Sequence, residues 1–278
     1  MTMRPRSPTA HPGRILVTGV LVGTIILLVL PIVLTFVSSF AREWTGVLPT
    51  GFVTLSHWKY VLGIGGGVQD AADTSIGASL GFSLLLALGG VLINLVVGIP
   101  IAYAVARYEF WGRNWTSTFA VLPLAPGIIL GVAFLRAYPE LSATNFGLIV
   151  GYSLLKAPYM VMAVLGSFES MPLRQLEESA RSLGASWTRT FLTVIIPNAK
   201  TGIISGSIVC WTLAAAEFNF SYIVFSRGTP PLALFLKGHI SNSSFLTTAA
   251  ALSVFFLLVA GVTVLLQILG GHRPLNRI

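Results

Sequence analysis

Six apolar stretches of about twenty residues or more run through this 278-residue chain, each long enough to cross a bilayer as a helix. They span residues 15–40, 76–105, 117–137, 147–168, 202–225 and 246–269. The runs are continuous rather than alternating, so helices are expected and a β-barrel is not. Only 9% of the residues are charged, and mean hydropathy is +0.83. A water-facing domain carries roughly a quarter charged residues. An ordinary cytosolic enzyme, a disordered regulator and a secreted disulfide scaffold are therefore excluded. The expected fold is an all-α integral membrane protein with six transmembrane helices.

The first stretch begins beside Arg4, Arg6 and Arg14, as a secretory signal would. Its apolar core is too long for one and no small-residue cleavage site follows, so it is expected to remain as a helix. Net charge is +8. Of the 17 Lys and Arg residues, eleven fall on the side of the N-terminus, five on the other, and Lys156 lies inside a span. That bias predicts both termini in the cytoplasm. It also makes the lipid bilayer, and not nucleic acid, the partner implied by the basic charge.

The single cysteine, Cys210, excludes an intrachain disulfide, and the four histidines are scattered, so no metal site is expected. The expected organisation is a tail at 1–14, a first helix and outer loop at 15–75, a core at 76–270 and a tail at 271–278. Within the outer loop, residues 54–62 suit a short interfacial helix presenting Trp58 and Tyr60.

The most charged stretch is the inner connection, 169–200. Ser170 is expected to cap a helix with Pro172 in its first turn. Leu173, Leu176, Ala180 and Leu183 recur at helical spacing, and Glu177 and Arg181 suit a surface pair. Gly184 ends or bends this helix, and a second carries Trp187, Phe191 and Val194 into Pro197. Two short helices at the membrane face have two readings. They lie on the lipid surface, or they form a knob that docks a cytoplasmic partner.

Glu178-Ser179-Ala180, Gly184 and Val194-Ile195-Ile196-Pro197 resemble, in type and spacing, the "EAA" loop of ABC importer permeases of type I. Ser179, Val194 and Ile196 are mild departures. The stretch from Gly98 through Tyr103 to Arg107, with Phe110, Gly112 and Arg113, is similar to the end of a core helix in that family; Leu122-Pro123 and Pro126-Gly127 are similar to its next helix. The resemblance implies a permease bundle with a cytoplasmic coupling helix, half of a pathway completed by a second permease subunit, homologous or identical. It implies a cytoplasmic ABC ATPase dimer and an extracytoplasmic solute-binding protein. Glu177, Glu178, Ala180, Leu183 and Gly184 become the candidate coupling residues. The chain has no G-x-x-x-x-G-K-[ST] loop, so ATP and Mg are expected in the partner ATPase, with no cofactor and no catalytic residue here.

Charges at membrane depth are costly and usually face a cavity or a partner. Lys156, Glu217 and Asn219 are the pathway candidates, with an internal Lys156–Glu217 ion pair as the competing reading. Arg136 is expected to snorkel to the outer interface. Pro100, Pro123, Pro126 and Pro158 are expected to kink their spans. Residues 122–127, Glu217-Phe218 and residues 48–58 look most like permeases for polyamines, ferric iron and organophosphonates. The expected solute is an aminophosphonate or polyamine, then a sugar or sugar phosphate, or ferric iron. The alternative function is an ion-coupled secondary transporter, for which Glu217 is the one available coupling acid. A membrane enzyme would need a nucleophile, carboxylate pair or metal cluster that the spans lack.

Overall fold

The computed structural model describes residues 12–44, 50–52, 54–62, 64, 76–113, 127–240 and 245–269. These fall into two compact units, one from residues 1–66 and 243–254, the other from residues 67–242 and 255–278.

The first unit opens with helix α1, Pro12–Ser38. Residues 16–34 are exposed throughout, an apolar surface that only lipid or another chain can cover. Two three-residue strands follow, β1 (Ala41–Glu43) and β2 (Thr50–Phe52), paired antiparallel with Ala41 opposite Phe52. This hairpin was not among the expected elements, because strands this short leave no periodic signal, and the unit around it stays helical. Gly51, at φ +68°, takes the left-handed conformation beside Arg42. Helix α2, Ser56–Val61, is the expected short helix of the outer loop. Trp58 stacks on Phe40 at 5.2 Å and donates its indole N–H to Ser39 Oγ, so it anchors the loop rather than only facing headgroups. His57 Nδ1 lies 3.2 Å from Thr247 Oγ1.

The second unit is built on three helices, α3 (Ile76–Arg107), α6 (Asn145–Glu169) and α9 (Lys200–Ala215). Apolar surface gives no preference for helix over lipid inside a membrane, so close contact depends on small residues. A Cβ on Gly202 would stand 2.7 Å from the Ala163 carbonyl, and one on Gly90 would stand 3.4 Å from the Ser153 backbone. Ser153 Oγ donates to Asn94 Oδ1 at 2.8 Å, joining α6 to α3 where both are buried. Pro100 and Pro158 lie inside continuous helices.

Around this trio stand α4 (Gly127–Ala137), α5 (Pro139–Ser142), α7 (Leu173–Ser182), α8 (Trp187–Asn198), α10 (Asn219–Val224) and α11 (Leu232–Ile240). Helix α12, Phe245–Leu269, closes the described chain. Helix α11 was not anticipated; its Leu232 N–H is satisfied by Ser83 Oγ at 2.7 Å.

Among the described residues, four helices are long and apolar enough to cross a membrane, or five if α8 and α9, bent by 72°, make one span. One expected span is described only in part, and another differs. The third coincides with α4 only at 127–137, about 16 Å of helix; Pro123, Pro126 and the rest of 114–126 lie outside the described residues. The fifth is not one helix. It breaks at Ala216–Phe218, and α10 begins anew at Asn219. The break falls where Glu217 uses its carboxylate Oε1 to accept from Phe220 N at 3.2 Å, a bond to the open first turn of α10.

Candidate functional site

The inner connection folds as helix, glycine, helix. Helix α7 ends in two backbone bonds, Gly184 N to Arg181 O and Ala185 N to Ala180 O, the paired closure that a left-handed residue permits. Gly184 supplies it at φ +78°. Ser186 then caps α8 by accepting from Arg189 N. A π-turn at Phe191–Ile195 carries α8 towards Asn198.

Three local expectations are corrected. Ser170 does not cap α7. It ends α6, and its hydroxyl points backwards to donate to Ser167 O at 2.8 Å. Leu183 does not share the inward face of Leu173 and Ala180. It lies past the helix end, outside the helical register, and is 87% exposed beside Gly184. Glu177 does not form a surface pair with Arg181.

Glu177 instead turns inward and is 4% exposed. Its Oε1 accepts from the Tyr103 hydroxyl at 2.6 Å and its Oε2 from Arg107 Nε at 2.8 Å. A buried carboxylate is tolerated only with such partners. The Tyr103 ring packs on Phe191 at 5.1 Å, Phe168 at 5.9 Å and Trp187 at 6.2 Å. α3, α6, α7 and α8 therefore meet at one tyrosine. A cleft of about 470 Å³, lined by Arg107, Phe168, Met171 and Arg174 among others, leaves the Arg107 side chain 31% exposed. Tyr103 and Arg107 were missed as site residues. Both lie in the stretch from Gly98 to Arg107 that resembles the family's helix end, but Tyr103 reads as one apolar residue among many, and Arg107 as one inner charge.

The neighbouring Glu178 faces out. Its carboxylate accepts from Arg174 Nε at 2.9 Å, and both side chains are exposed. So α7 presents Glu178, Leu183 and the Gly184 turn to the outside, while Glu177 and Ala180 face the bundle.

Deeper in the same unit, Lys156 of α6 meets Glu217 in the break between α9 and α10. Lys156 Nζ lies 2.5 Å from Glu217 Oε2, and the side chains are 12% and 10% exposed. The Glu217 main-chain carbonyl accepts from Tyr152 OH at 3.2 Å, which also shares a 2.6 Å bond with Ser221 Oγ. Cys210 donates its thiol to the Lys156 carbonyl at 3.3 Å. Asn219, exposed at the start of α10, lies near Gly127 of α4, where an added Cβ would stand 3.1 Å from the asparagine Cβ and from Glu217 Oε1. The structure thus brings Lys156 and Glu217 together as an ion pair, with Asn219 close by.

Residues 94–271 match the family described as the binding-protein-dependent transport system inner membrane component. The chain belongs to this family. It is an ABC transporter permease, a transmembrane component of binding-protein-dependent transport. Among curated relatives, it is 32% identical over 158 residues to the molybdate/tungstate transport system permease protein WtpB of Pyrococcus furiosus. That match covers 56% of this chain and 63% of the relative's length. It is 26% identical over 190 residues to the probable sulfate transport system permease protein cysT of Prototheca wickerhamii, covering 63% of this chain and 71% of that one. The fold is similar to a chain in the crystal structure of a bacterial ABC transporter involved in the import of the acidic polysaccharide alginate. The TM-score is 0.70 at 19% identity, over 97% of this chain and 100% of that chain. These relatives carry the names of molybdate, tungstate and sulfate, which corrects the expected likeness to polyamine, ferric iron and organophosphonate permeases. Of the residues invoked for that likeness, 122–126, 48, 49 and 53 lie outside the described ones.

Proposed function

We propose that this permease forms half of a translocation pathway for a tetrahedral oxyanion of the molybdate, tungstate and sulfate kind. The solutes named for its relatives carry the solute class. A second permease subunit, identical or homologous, completes the pathway, and an extracytoplasmic binding protein delivers the anion. Six spans with both termini in the cytoplasm are the arrangement we infer, the third contributed by 117–137.

The observation that carries the coupling half of this reading is the geometry of α7 and Gly184. A helix anchored on its inner face by Glu177 leaves Glu178, Leu183 and the glycine turn projecting. An exposed leucine held beside a fixed turn is an apolar knob of the kind a groove in a partner accepts. We assign Glu178, Leu183 and Gly184 to docking on the ATPase dimer, which holds ATP and Mg, and Glu177 and Ala180 to seating the helix. Nucleotide-driven closure of the dimer then moves α7 and switches the bundle between inward-facing and outward-facing states. Lys156, Glu217 and Asn219 line the path in this reading. Lys156 supplies the cation an oxyanion needs, and Glu217 neutralises it between transport events.

Uptake of labelled molybdate into vesicles, with and without ATP, tests the proposal, with sulfate and a polyamine as competitors. ATP-dependent uptake blocked by sulfate and not by polyamine is expected. Uptake that follows an ion gradient without ATP would support the secondary transporter instead. Gly184→Asp or Glu178→Ala should abolish or weaken uptake; normal uptake in both sinks the docking assignment.

A further inference from the structure

We propose that Glu177 is the joint that makes α7 and the inner end of α3 one rigid piece, so that displacement of α7 becomes displacement of the bundle. This rests on the reading of α7 as the element that docks the ATPase. A push on α7 reaches the core only through what fastens α7 to it. The outer face, with the exposed Arg174–Glu178 pair, makes no such link. The chain connection to α6 is three residues, Ser170 to Pro172, a short loop outside either helix. Apolar packing by Leu173 and Ala180 resists separation but not sliding or rotation. Directional bonds resist both. Glu177 has two, to different residues of α3 one turn apart, Tyr103 at 2.6 Å and Arg107 at 2.8 Å. The Tyr103 ring is itself wedged by Phe168 of α6 and Phe191 of α8, so its hydroxyl cannot swing to follow a rotating α7. Glu177 is thus a positioning residue with no contact to solute or nucleotide in this proposal.

The test uses the complete transporter, purified through a tag on this chain and reconstituted in lipid. Spin labels at Ser179→Cys on α7 and Ile101→Cys on α3, both exposed, with Cys210 replaced by Ala, report their separation. In the otherwise native protein that distance should be the same with and without ATP. In Glu177→Gln, which keeps an acceptor for Tyr103 but loses the ion pair, it should change between nucleotide states. ATP hydrolysis by the complex should stay within about twofold while molybdate moved per ATP falls tenfold or more. Tyr103→Phe keeps the ring packing and removes one bond, and should give a smaller fall of the same kind. A native distance that shifts with nucleotide overturns the proposal whatever the variants do. So does an unchanged transport-to-hydrolysis ratio in both variants. Loss of the ATPase from the complex in Glu178→Ala, with Glu177→Gln still bound but uncoupled, separates docking from the joint. If Glu178→Ala and Gly184→Asp still bind and couple the ATPase, it is the docking reading that fails.

Discussion

Among the described residues, Glu177 and Glu217 each tie separate parts of the fold together through a cation, and they do so in opposite surroundings. Glu177 and Arg107 meet at the end of α3, with the carboxylate buried, the guanidinium side chain 31% exposed, and a tyrosine hydroxyl sharing the charge. Glu217 and Lys156 meet within the apolar bundle, where both partners are shielded. A pair at the water's edge can be strong and permanent, because each ion keeps hydration or extra donors. A pair inside a membrane is indispensable only while both members stay together, since either alone is a bare charge. The first arrangement suits a fastening, the second a contact that an anion can enter and replace.

The largest effects should come from splitting the inner pair. Lys156→Met or Glu217→Gln alone should lower stability by about 3–5 kcal/mol, and the double variant by much less, because it removes both charges. Thermal unfolding of the purified protein measures this. The double variant also separates structure from transport. Restored stability with uptake still lost supports the pathway role; restored stability with normal uptake leaves the pair a purely structural contact and breaks the comparison.

A smaller effect is expected from Arg107→Met, about 2 kcal/mol, because Tyr103 still donates to Glu177 and water reaches the site. Salt sharpens the contrast. The Debye length falls to about 3 Å at 1 M ionic strength, so the cost of Arg107→Met should shrink in high salt. The cost of Lys156→Met should shrink less, since side chains only 12% and 10% exposed are screened less than a pair at the water's edge. Equal salt dependence for the two would mean that the inner pair is wet.

How legible each region was in the sequence follows from the same difference. Lys156 and Glu217 stand out because they interrupt apolar runs, and their pairing is one of the two readings the sequence supports. That Glu217 sits in a break between two helices was not legible. A run of apolar residues looks continuous whether or not the backbone is, and it is the carboxylate bonding to Phe220 N that marks the interruption. Glu177 had the reverse fate. It lies among Arg174, Glu178 and Arg181, where one more charge carries no information, and a pairing four residues along the helix was the local choice. Its true partners are seventy or more residues away on α3. The glycine turn was legible because only one residue type takes φ +78° without strain, whereas the strands at 41–43 and 50–52 were too short to announce themselves.

The finest contrast is between Glu177 and the residue next to it. Successive helical positions point about 100° apart, so Glu177 and Glu178 face the bundle and the outside from adjacent backbone sites. Glu178 bonds only to Arg174, four residues earlier, and such exposed pairs contribute roughly 0.3–0.5 kcal/mol. Glu178→Ala should therefore leave the melting temperature of the isolated permease nearly unchanged. If uptake and ATPase binding nonetheless fall in that variant, the loss belongs to the partner surface, because the fold has been shown not to need the side chain. A marked drop in melting temperature would instead place Glu178 in the same structural role as its neighbour, and the division of α7 into a seated face and a docking face would have to be redrawn around Leu183 and Gly184.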